Sequence, residues 1–103
     1  PRLPAGLNIG AQLFFQQKRF PAEFVRADAI LMYAQYWALR LTGIAANEVT
    51  SLGCHTDLWN PWKADYSSLV DRMGWRRLMA PVRPAKDRLG PILTAIAEWT
   101  GLD

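Results

Sequence analysis

The stretch AILMYAQYWALRLTGIAANEVTS, residues 29–51, shows where the chain changes from one kind of element to another. Its first four residues are apolar, a run too short for periodicity to separate a buried strand from a turn. Helical spacing then begins, with four large apolar residues on one stripe: Tyr33, Trp37, Leu41 and Ile44. Gly43 follows the last turn, where a residue free to adopt positive φ can end a helix. We therefore predict a buried strand or turn, an aromatic-rich helix, and a polar-capped helix start at Asn47–Thr50.

Two helices are predicted before this stretch. The first begins at Asn8, a residue type that caps helix N-termini well, and runs to about Arg19, before Pro21 ends it. The second is short and covers residues 22–28, with three inward-facing side chains: Phe24, Val25 and Ala27. Residues 1–6 are too rich in proline and glycine for a helix interior.

Short elements follow one another closely after the stretch. In chain order we predict a helix or turn at Glu48–Cys54, an edge strand at Thr56–Trp59, a helix from about Tyr66 to Gly74 with Asp65 as its N-cap, a helical turn at Trp75–Met79, an extended connector over 80–91 with a short strand at Arg88–Gly90, and a helix at Ile92–Trp99. Strands this few and short do not form a sheet of their own. We expect them to be edges of a sheet completed elsewhere, in a helix-rich α/β chain.

Composition places the chain among small globular domains. Its 103 residues suit one domain, half of them are hydrophobic, and 20% are charged. A single cysteine rules out an internal disulfide and favours a reducing compartment, so a cytoplasmic location is expected. No apolar run approaches the roughly 18 residues of a membrane span, and no signal-peptide pattern opens the sequence, so no membrane partner is expected. The chain starts at Pro1 without Met, stops at Asp103, and reads like a piece of something longer.

Positive charge is spread along the chain. Residues 1–51 carry five Lys or Arg against three Asp or Glu, and residues 52–103 carry seven against six. A nucleic-acid-binding domain usually concentrates its basic residues on one face or arm. Acidic residues accompany the basic residues of the second half, so we predict a solvated surface there: Arg76, Arg77, Arg83, Lys86 and Arg88.

Two clusters have the residue types of a chemical site. Residues 54–57 are Cys-His-Thr-Asp, but neighbouring side chains point apart, and a zinc site needs three or four ligands where the chain has one Cys and one His. Trp59, Trp62 and Tyr66 can stack on a sugar or a base, although such clusters more often form core or domain contacts. We expect a structural role for both clusters.

An ordered series of short phrases runs through nearly the whole chain: Gly6-Leu7-Asn8, Gln12-Leu13, Leu41-Thr42-Gly43, Glu48-Val49-Thr50, Thr56-Asp57-Leu58-Trp59, Ala64–Leu69, Met73-Gly74, Leu78–Val82, Pro84, Leu89-Gly90 and Thr100-Gly101-Leu102. This series resembles the later part of the N-terminal domain of FGGY-family carbohydrate kinases. The early phrases are most similar to the rhamnulokinase or fuculokinase branch.

The resemblance implies a two-domain protein of the actin/ribonuclease-H-like fold, with residues 1–103 as a fragment of its sugar-side domain. Such kinases transfer the γ-phosphate of ATP, with Mg²⁺, to a sugar or polyol hydroxyl that a family aspartate deprotonates. The expected substrate is a ketose or a related sugar. The phosphate-binding turn, the catalytic aspartate and the ATP-binding domain would lie outside these residues, and Asp103 does not match the catalytic motif. The chain alone is therefore predicted to be inactive and to hold no cofactor.

The same resemblance singles out two substrate-binding candidates. Asn8 starts the helix that lies near the sugar in the family, and Gln12 follows one turn later. The alternatives are an ordinary N-cap for Asn8 and a solvated helix face for Gln12. No residue is expected to be catalytic or to bind a metal. The expected partners are a sugar and the remaining parts of the same kinase, without nucleic acid, and homo-oligomerisation is left open.

A second interpretation belongs to a different class of protein. The chain would be a self-contained helical binding module that uses its Arg-rich second half on nucleic acid or on an acidic protein. The ordered series of phrases and the dispersed charge favour the kinase. Salt-dependent binding to duplex DNA separates the two interpretations, because only the module requires it.

Overall fold

A computed structural model describes residues 3–102, so the expectations for Pro1 and Asp103 lie outside the described residues. The helices are α1 (Ile9–Arg19), α2 (Pro21–Phe24), α3 (Tyr33–Thr42), α4 (Val49–Gly53), α5 (Ser68–Arg72) and α6 (Thr94–Thr100). The strands are β1 (Asn47–Glu48), β2 (Trp59–Asn60), β3 (Asp65–Tyr66) and β4 (Val82–Arg83). Single 3₁₀ turns cover Pro4–Gly6 and Arg76–Leu78.

The first two helices meet at a sharp bend. The backbone N–H of Phe20 closes α1 by donating to the carbonyl of Gln16 at 2.8 Å, and Pro21 then opens α2, where its missing N–H costs nothing. The predicted helix over 22–28 is wrong in extent, because α2 is a single turn that ends at Phe24. Phe24 packs against the core as predicted, but Val25 is 68% exposed, because the chain leaves the helix in a turn at that point.

Parallel pairing joins three distant segments of the chain. Ile30 forms a bridge with Met79, and β1 pairs with β4 in the register Asn47 to Val82. The buried Asn47 side chain links these pairs, since its Nδ2 donates to the carbonyl of Ile30 at 3.0 Å and its Oδ1 accepts from the N–H of Met32 at 3.4 Å. Of the two alternatives predicted for the apolar run before α3, a strand or a turn, the structure shows an extended segment, in which Ile30 and Met32 are buried.

The strand predicted at Arg88–Gly90 is wrong. The connector instead forms β4 at Val82–Arg83, because this part of it passes β1 and completes the parallel ladder. Gly90 has a φ of +146°, which does not suit a regular strand, and Pro91 follows it. The last helix begins at Thr94, two residues later than predicted, because Leu93 has a non-helical ψ of +135°, and it ends at Gly101 with a φ of +72°.

A short antiparallel hairpin joins β2 and β3. Trp59 pairs with Tyr66 across the strands, and their rings meet edge to face with centroids 5.6 Å apart. The predicted N-cap Asp65 is wrong, because Asp65 belongs to β3 and binds Arg76, while α5 begins at Ser68. The predicted edge strand begins three residues later than expected, after a turn in which Asp57 has positive φ.

The core lies between the hairpin, α4, α5 and the parallel segments. Within residues 3–102, its main cluster contains seven buried hydrophobic residues: Ile30, Met32, Leu52, Leu58, Val70, Trp75 and Leu78. The Trp75 indole is fully buried, and its Nε1 donates to Gln17 of α1 at 2.9 Å, so this one side chain ties the first helix to the second half of the chain.

The helix predicted in the opening stretch is confirmed, with Gly43 at a φ of +75° as its end. Its aromatic stripe, however, faces away from the core. The exposed fraction is 77% for Tyr33, 50% for Trp37 and 43% for Leu41. The predicted short helix after it is also confirmed, since the carboxylate of Glu48 accepts from the backbone N–H groups of Thr50 and Ser51 at the start of α4.

Candidate functional site

The N-terminal end of α1 is in direct contact with the loop of residues 54–57. The N–H of Gly10 donates to the carbonyl of Thr56 at 2.8 Å. A Cβ atom on Gly10 would lie 2.8 Å from Leu69 Cδ2 and 2.9 Å from the Thr56 carbonyl oxygen. Only glycine allows this approach without a shift, so the contact between helix and loop depends on the absence of a side chain at this position.

Thr56 holds the loop in shape from inside. Its side chain is buried, donates to the carbonyl of Leu52, and accepts from the N–H of Leu58 at 3.0 Å. The residues on either side have positive φ, +55° at His55 and +62° at Asp57, which non-glycine residues adopt rarely. The strained backbone places both side chains on the exposed side of the loop.

Asn8 occupies the N-cap position of α1, but its side chain does not cap the helix. A capping side chain usually accepts from the second or third N–H of the helix, and the second, that of Gly10, is already bound to Thr56. The Asn8 Oδ1 accepts instead from the N–H of Leu3 at 2.8 Å. Asn8 is 4% exposed, and its Nδ2 has no hydrogen-bond partner among residues 3–102.

A cleft of about 740 Å³ opens beside this junction, and its walls include Asn8, His55, Asp57 and Trp62. Gln12 faces a different cavity, of about 580 Å³, and its Nε2 donates to the carbonyl of Leu7 at 3.3 Å. The two substrate-binding candidates therefore do not line one cavity.

The aromatic cluster of the hairpin divides into two parts. Trp59 and Tyr66 are half-buried and pack against the core, as expected for a structural role. Trp62 is 95% exposed at the edge of the cleft. The Asn60 Oδ1 accepts from the N–H groups of Trp62 at 3.1 Å and Lys63 at 3.2 Å, and this fixes the turn that carries Trp62.

Arg76 is engaged in an ion-pair network on the surface. Its guanidinium contacts Asp71 at 2.6 Å and Asp65 at 3.0 Å, and it lies over the ring of Tyr66, 5.4 Å from the centroid. Hydrogen bonds from Arg76 lower the pKa of both aspartates, and the two carboxylates raise the pKa of Arg76. Burial raises the pKa of the Tyr66 hydroxyl. The positive charge of Arg76 is thus balanced by two carboxylates of the same chain.

Other features bear on ligands and location. No three His, Cys, Asp or Glu side chains of residues 3–102 are grouped as a metal ion requires. Within the same range, no helix has both the length and the hydropathy to cross a membrane. A second cleft, of about 520 Å³, lies between α1, α2 and Ile30 and has a mainly apolar lining, including Leu13, Phe24 and Leu31.

Comparison with known proteins assigns the architecture to a class. No protein-family model matches the chain, and no curated protein sequence does. Among solved structures, a carbohydrate kinase from Novosphingobium aromaticivorans superposes with a TM-score of 0.92 at 50% identity, over 100% of this chain and 22% of that one. The ligand-bound xylulose kinase from Lactobacillus acidophilus superposes with a TM-score of 0.82 over 93% of this chain and 20% of its own, and at 18% identity it shows the shared fold alone.

The chain is therefore part of a protein of the carbohydrate kinase class, with a helix-rich portion of the actin/ribonuclease-H-like kinase domain as its fold. It spans about a fifth of the length of the two solved kinases. The resemblance to a carbohydrate kinase seen in the sequence is confirmed, while the rhamnulokinase- or fuculokinase-like branch stays a prediction.

Proposed function

We propose that this chain is the sugar-side part of the N-terminal domain of an FGGY kinase. The complete polypeptide transfers the γ-phosphate of ATP to a hydroxyl of a ketose or related sugar in the cytoplasm. The observation that carries the proposal is the 50% identity to a carbohydrate kinase over the whole chain, at a TM-score of 0.92. Similarity of sequence and backbone over every element is much more specific than any single motif.

The contribution of this chain is the binding and orientation of the sugar. Asn8 stands at the start of α1, beside the larger cleft, and its buried amide nitrogen, which has no partner among residues 3–102, can donate to a hydroxyl once the cleft floor shifts. Gln12, one turn later, lines a separate cavity. Phosphoryl transfer depends mainly on positioning and charge neutralisation, so residues that hold the acceptor hydroxyl in line affect the rate without touching the phosphate.

ATP and Mg²⁺ are assigned to other parts of the polypeptide. The described residues offer no grouped carboxylates for a divalent metal, so we expect the metal to be held elsewhere in the polypeptide. When bound, ATP supplies the phosphoryl group. The general base is likewise expected outside residues 1–103, so we expect the chain by itself to show no turnover.

The exposed aromatic face of α3 is proposed as a contact with the remaining parts of the same kinase. Tyr33, Trp37 and Leu41 together leave a large apolar area in water, which isolated domains seldom do. The interaction with nucleic acid that the alternative module requires has less support, because Asp65 and Asp71 already bind Arg76.

The test is a phosphotransfer assay on the complete encoded polypeptide. ADP release is measured with Mg·ATP and a panel of ketoses, aldoses and polyols, and we expect saturable turnover with at least one ketose. The 103-residue chain, assayed in parallel, should release no ADP above background. Absence of turnover with every sugar would refute the proposed function, and turnover by the short chain would refute the assignment of the catalytic base.

A further inference from the structure

The cleft beside Asn8 has two features that the proposed function does not yet use: the exposed Trp62 and the strained loop that carries Asp57. We propose that Trp62 and Asp57 form a specificity subsite for the neutral, polyhydroxylated part of the sugar. This inference rests on the proposed function and names the residues that select its substrate class. In this subsite the indole of Trp62 stacks on one face of the sugar, and Asp57, which lines the same cleft, binds its hydroxyls.

Trp62 has the properties of a binding platform. It is the most exposed of the large hydrophobic side chains, at 95%, and yet the turn that carries it is held in one shape by Asn60. A fully exposed indole contributes little to folding, because its apolar area stays in water. The C–H face of a sugar can cover that area, and the fixed turn reduces the entropy lost when it does.

Other residues that line the cleft supply polar groups. Asp57 stands at a φ of +62° in a loop held by the buried Thr56, so its exposed carboxylate is kept beside the cleft. A carboxylate can accept hydrogen bonds from two neighbouring hydroxyls. The Nδ2 of Asn8 has no partner among residues 3–102 and belongs to the same cleft, but less than 1 Å² of it is accessible, so a hydroxyl reaches it only if the cleft floor shifts.

Charge decides which sugars fit. Neither Lys nor Arg is among the described residues that line the cleft, and Asp57 contributes a negative charge. A neutral sugar meets no repulsion from Asp57, whereas a sugar acid or sugar phosphate brings a second anion beside it, with no Lys or Arg among the described lining residues to offset the charge. The subsite therefore favours the unphosphorylated substrate over anionic analogues. The volume of about 740 Å³ lies in the range of small-molecule sites, roughly 300–1,000 Å³.

The experiment uses variants of the complete polypeptide. Trp62→Ala should raise the KM for the accepted sugar about tenfold, through loss of the stacking surface, and leave the KM for ATP unchanged. Trp99→Ala is the matched control, since Trp99 is also highly exposed, at 85%, but lies on α6 away from the cleft, and it should change neither constant. An equal sugar KM in Trp62→Ala and Trp99→Ala would overturn the proposal.

A second pair of variants tests the charge. Asp57→Asn should improve inhibition by the corresponding sugar acid relative to wild type, by about tenfold, while Asp87→Asn, an exposed aspartate outside the cleft, should not. Unchanged discrimination in Asp57→Asn would contradict the electrostatic argument. Asp57 and Asp87 are both exposed, so neither substitution should disturb folding. Equal thermal midpoints for the two variants and the wild type verify this.

The subsite and the proposed function can fail separately. If the wild type phosphorylates no sugar, the proposed function fails, and the subsite is then judged by calorimetric titration of the same polypeptide with neutral sugars. Binding that is lost in Trp62→Ala and kept in Trp99→Ala supports the subsite without kinase activity. Absence of binding by the wild type, or equal binding by both variants, overturns it.

Discussion

Replacement of Gly10 by alanine tests the contact on which the site depends. In most helices Gly→Ala stabilises by roughly 0.5–1 kcal/mol, because alanine loses less backbone entropy on folding. At Gly10 the new Cβ would lie 2.8 Å from Leu69 Cδ2 and 2.9 Å from the Thr56 carbonyl oxygen. The leucine can rotate, but the carbonyl is backbone and accepts the Gly10 N–H, so relief requires the loop to move. Overpacking of this kind costs about 1–3 kcal/mol, so we expect Gly10→Ala to destabilise the contact.

Gly53→Ala is the internal control for this prediction. Gly53 also lies in a helix, α4, and a Cβ there would meet nothing within 4 Å. Native-state hydrogen exchange on the complete polypeptide measures the opening free energy of the amides of Gly10 and Leu58, which report on the junction and the loop. Gly10→Ala should lower that energy by about 1–3 kcal/mol, while Gly53→Ala should leave it unchanged or raise it slightly. If Gly10→Ala protects these amides as well as Gly53→Ala does, the steric argument is wrong.

Three further predictions concern the core and the caps. Asn47→Ala removes the side-chain partner of the Ile30 carbonyl and the Met32 N–H, so thermal unfolding should show a loss of about 2–4 kcal/mol, and a loss below about 0.5 kcal/mol would contradict the bridging role. Trp75→Ala should cost about 3–5 kcal/mol in the same assay through loss of the buried indole, and near-wild-type stability would show that Trp75 is not central to the core. Hydrogen bonds from Thr50 hold the pKa of Glu48 below its ordinary value of 4.5. The ionised Glu48 carboxylate therefore stabilises the fold fully above pH 4.5, and this stabilisation is lost as the pH falls through the lowered pKa. Glu48→Gln should flatten the decline of the thermal midpoint in acid, and identical pH profiles for variant and wild type would refute this.

The sequence predicted best those elements whose signals are local. The end of α3 at Gly43 and the end of α6 at Gly101 follow from a residue that tolerates positive φ directly after a periodic segment. The start of α4 follows in the same way, because the Glu48 carboxylate binds N–H groups only two and three residues away. Such interactions are complete within one helical turn, so a window of the sequence contains both partners.

Elements that depend on distant partners were predicted less well. Asp65 has the side chain of an N-cap, but Arg76, eleven residues later, binds its carboxylate, and the Trp59–Tyr66 pair draws this segment into a hairpin. The strand at Val82 exists because β1 lies beside it, 35 positions away in the register Asn47 to Val82. A strand of two residues is too short to show an alternating pattern, so local propensity does not predict this pairing.

In the candidate site, too, the local helix start was predicted correctly and interactions with distant residues were not. Asn8 was expected at the start of α1 and is found there, but local reasoning assigned its side chain to the helix N–H groups. The Thr56 carbonyl, 46 positions away in the chain, accepts the N–H of Gly10, so the Oδ1 of Asn8 binds the N–H of Leu3, and its Nδ2 has no partner within residues 3–102. The absence of a side chain at Gly10 thus allows the contact with Thr56 and changes the role of Asn8, two residues earlier. A helix start followed two residues later by glycine can therefore indicate that a distant carbonyl binds the helix N–H group and that the N-cap side chain has another role.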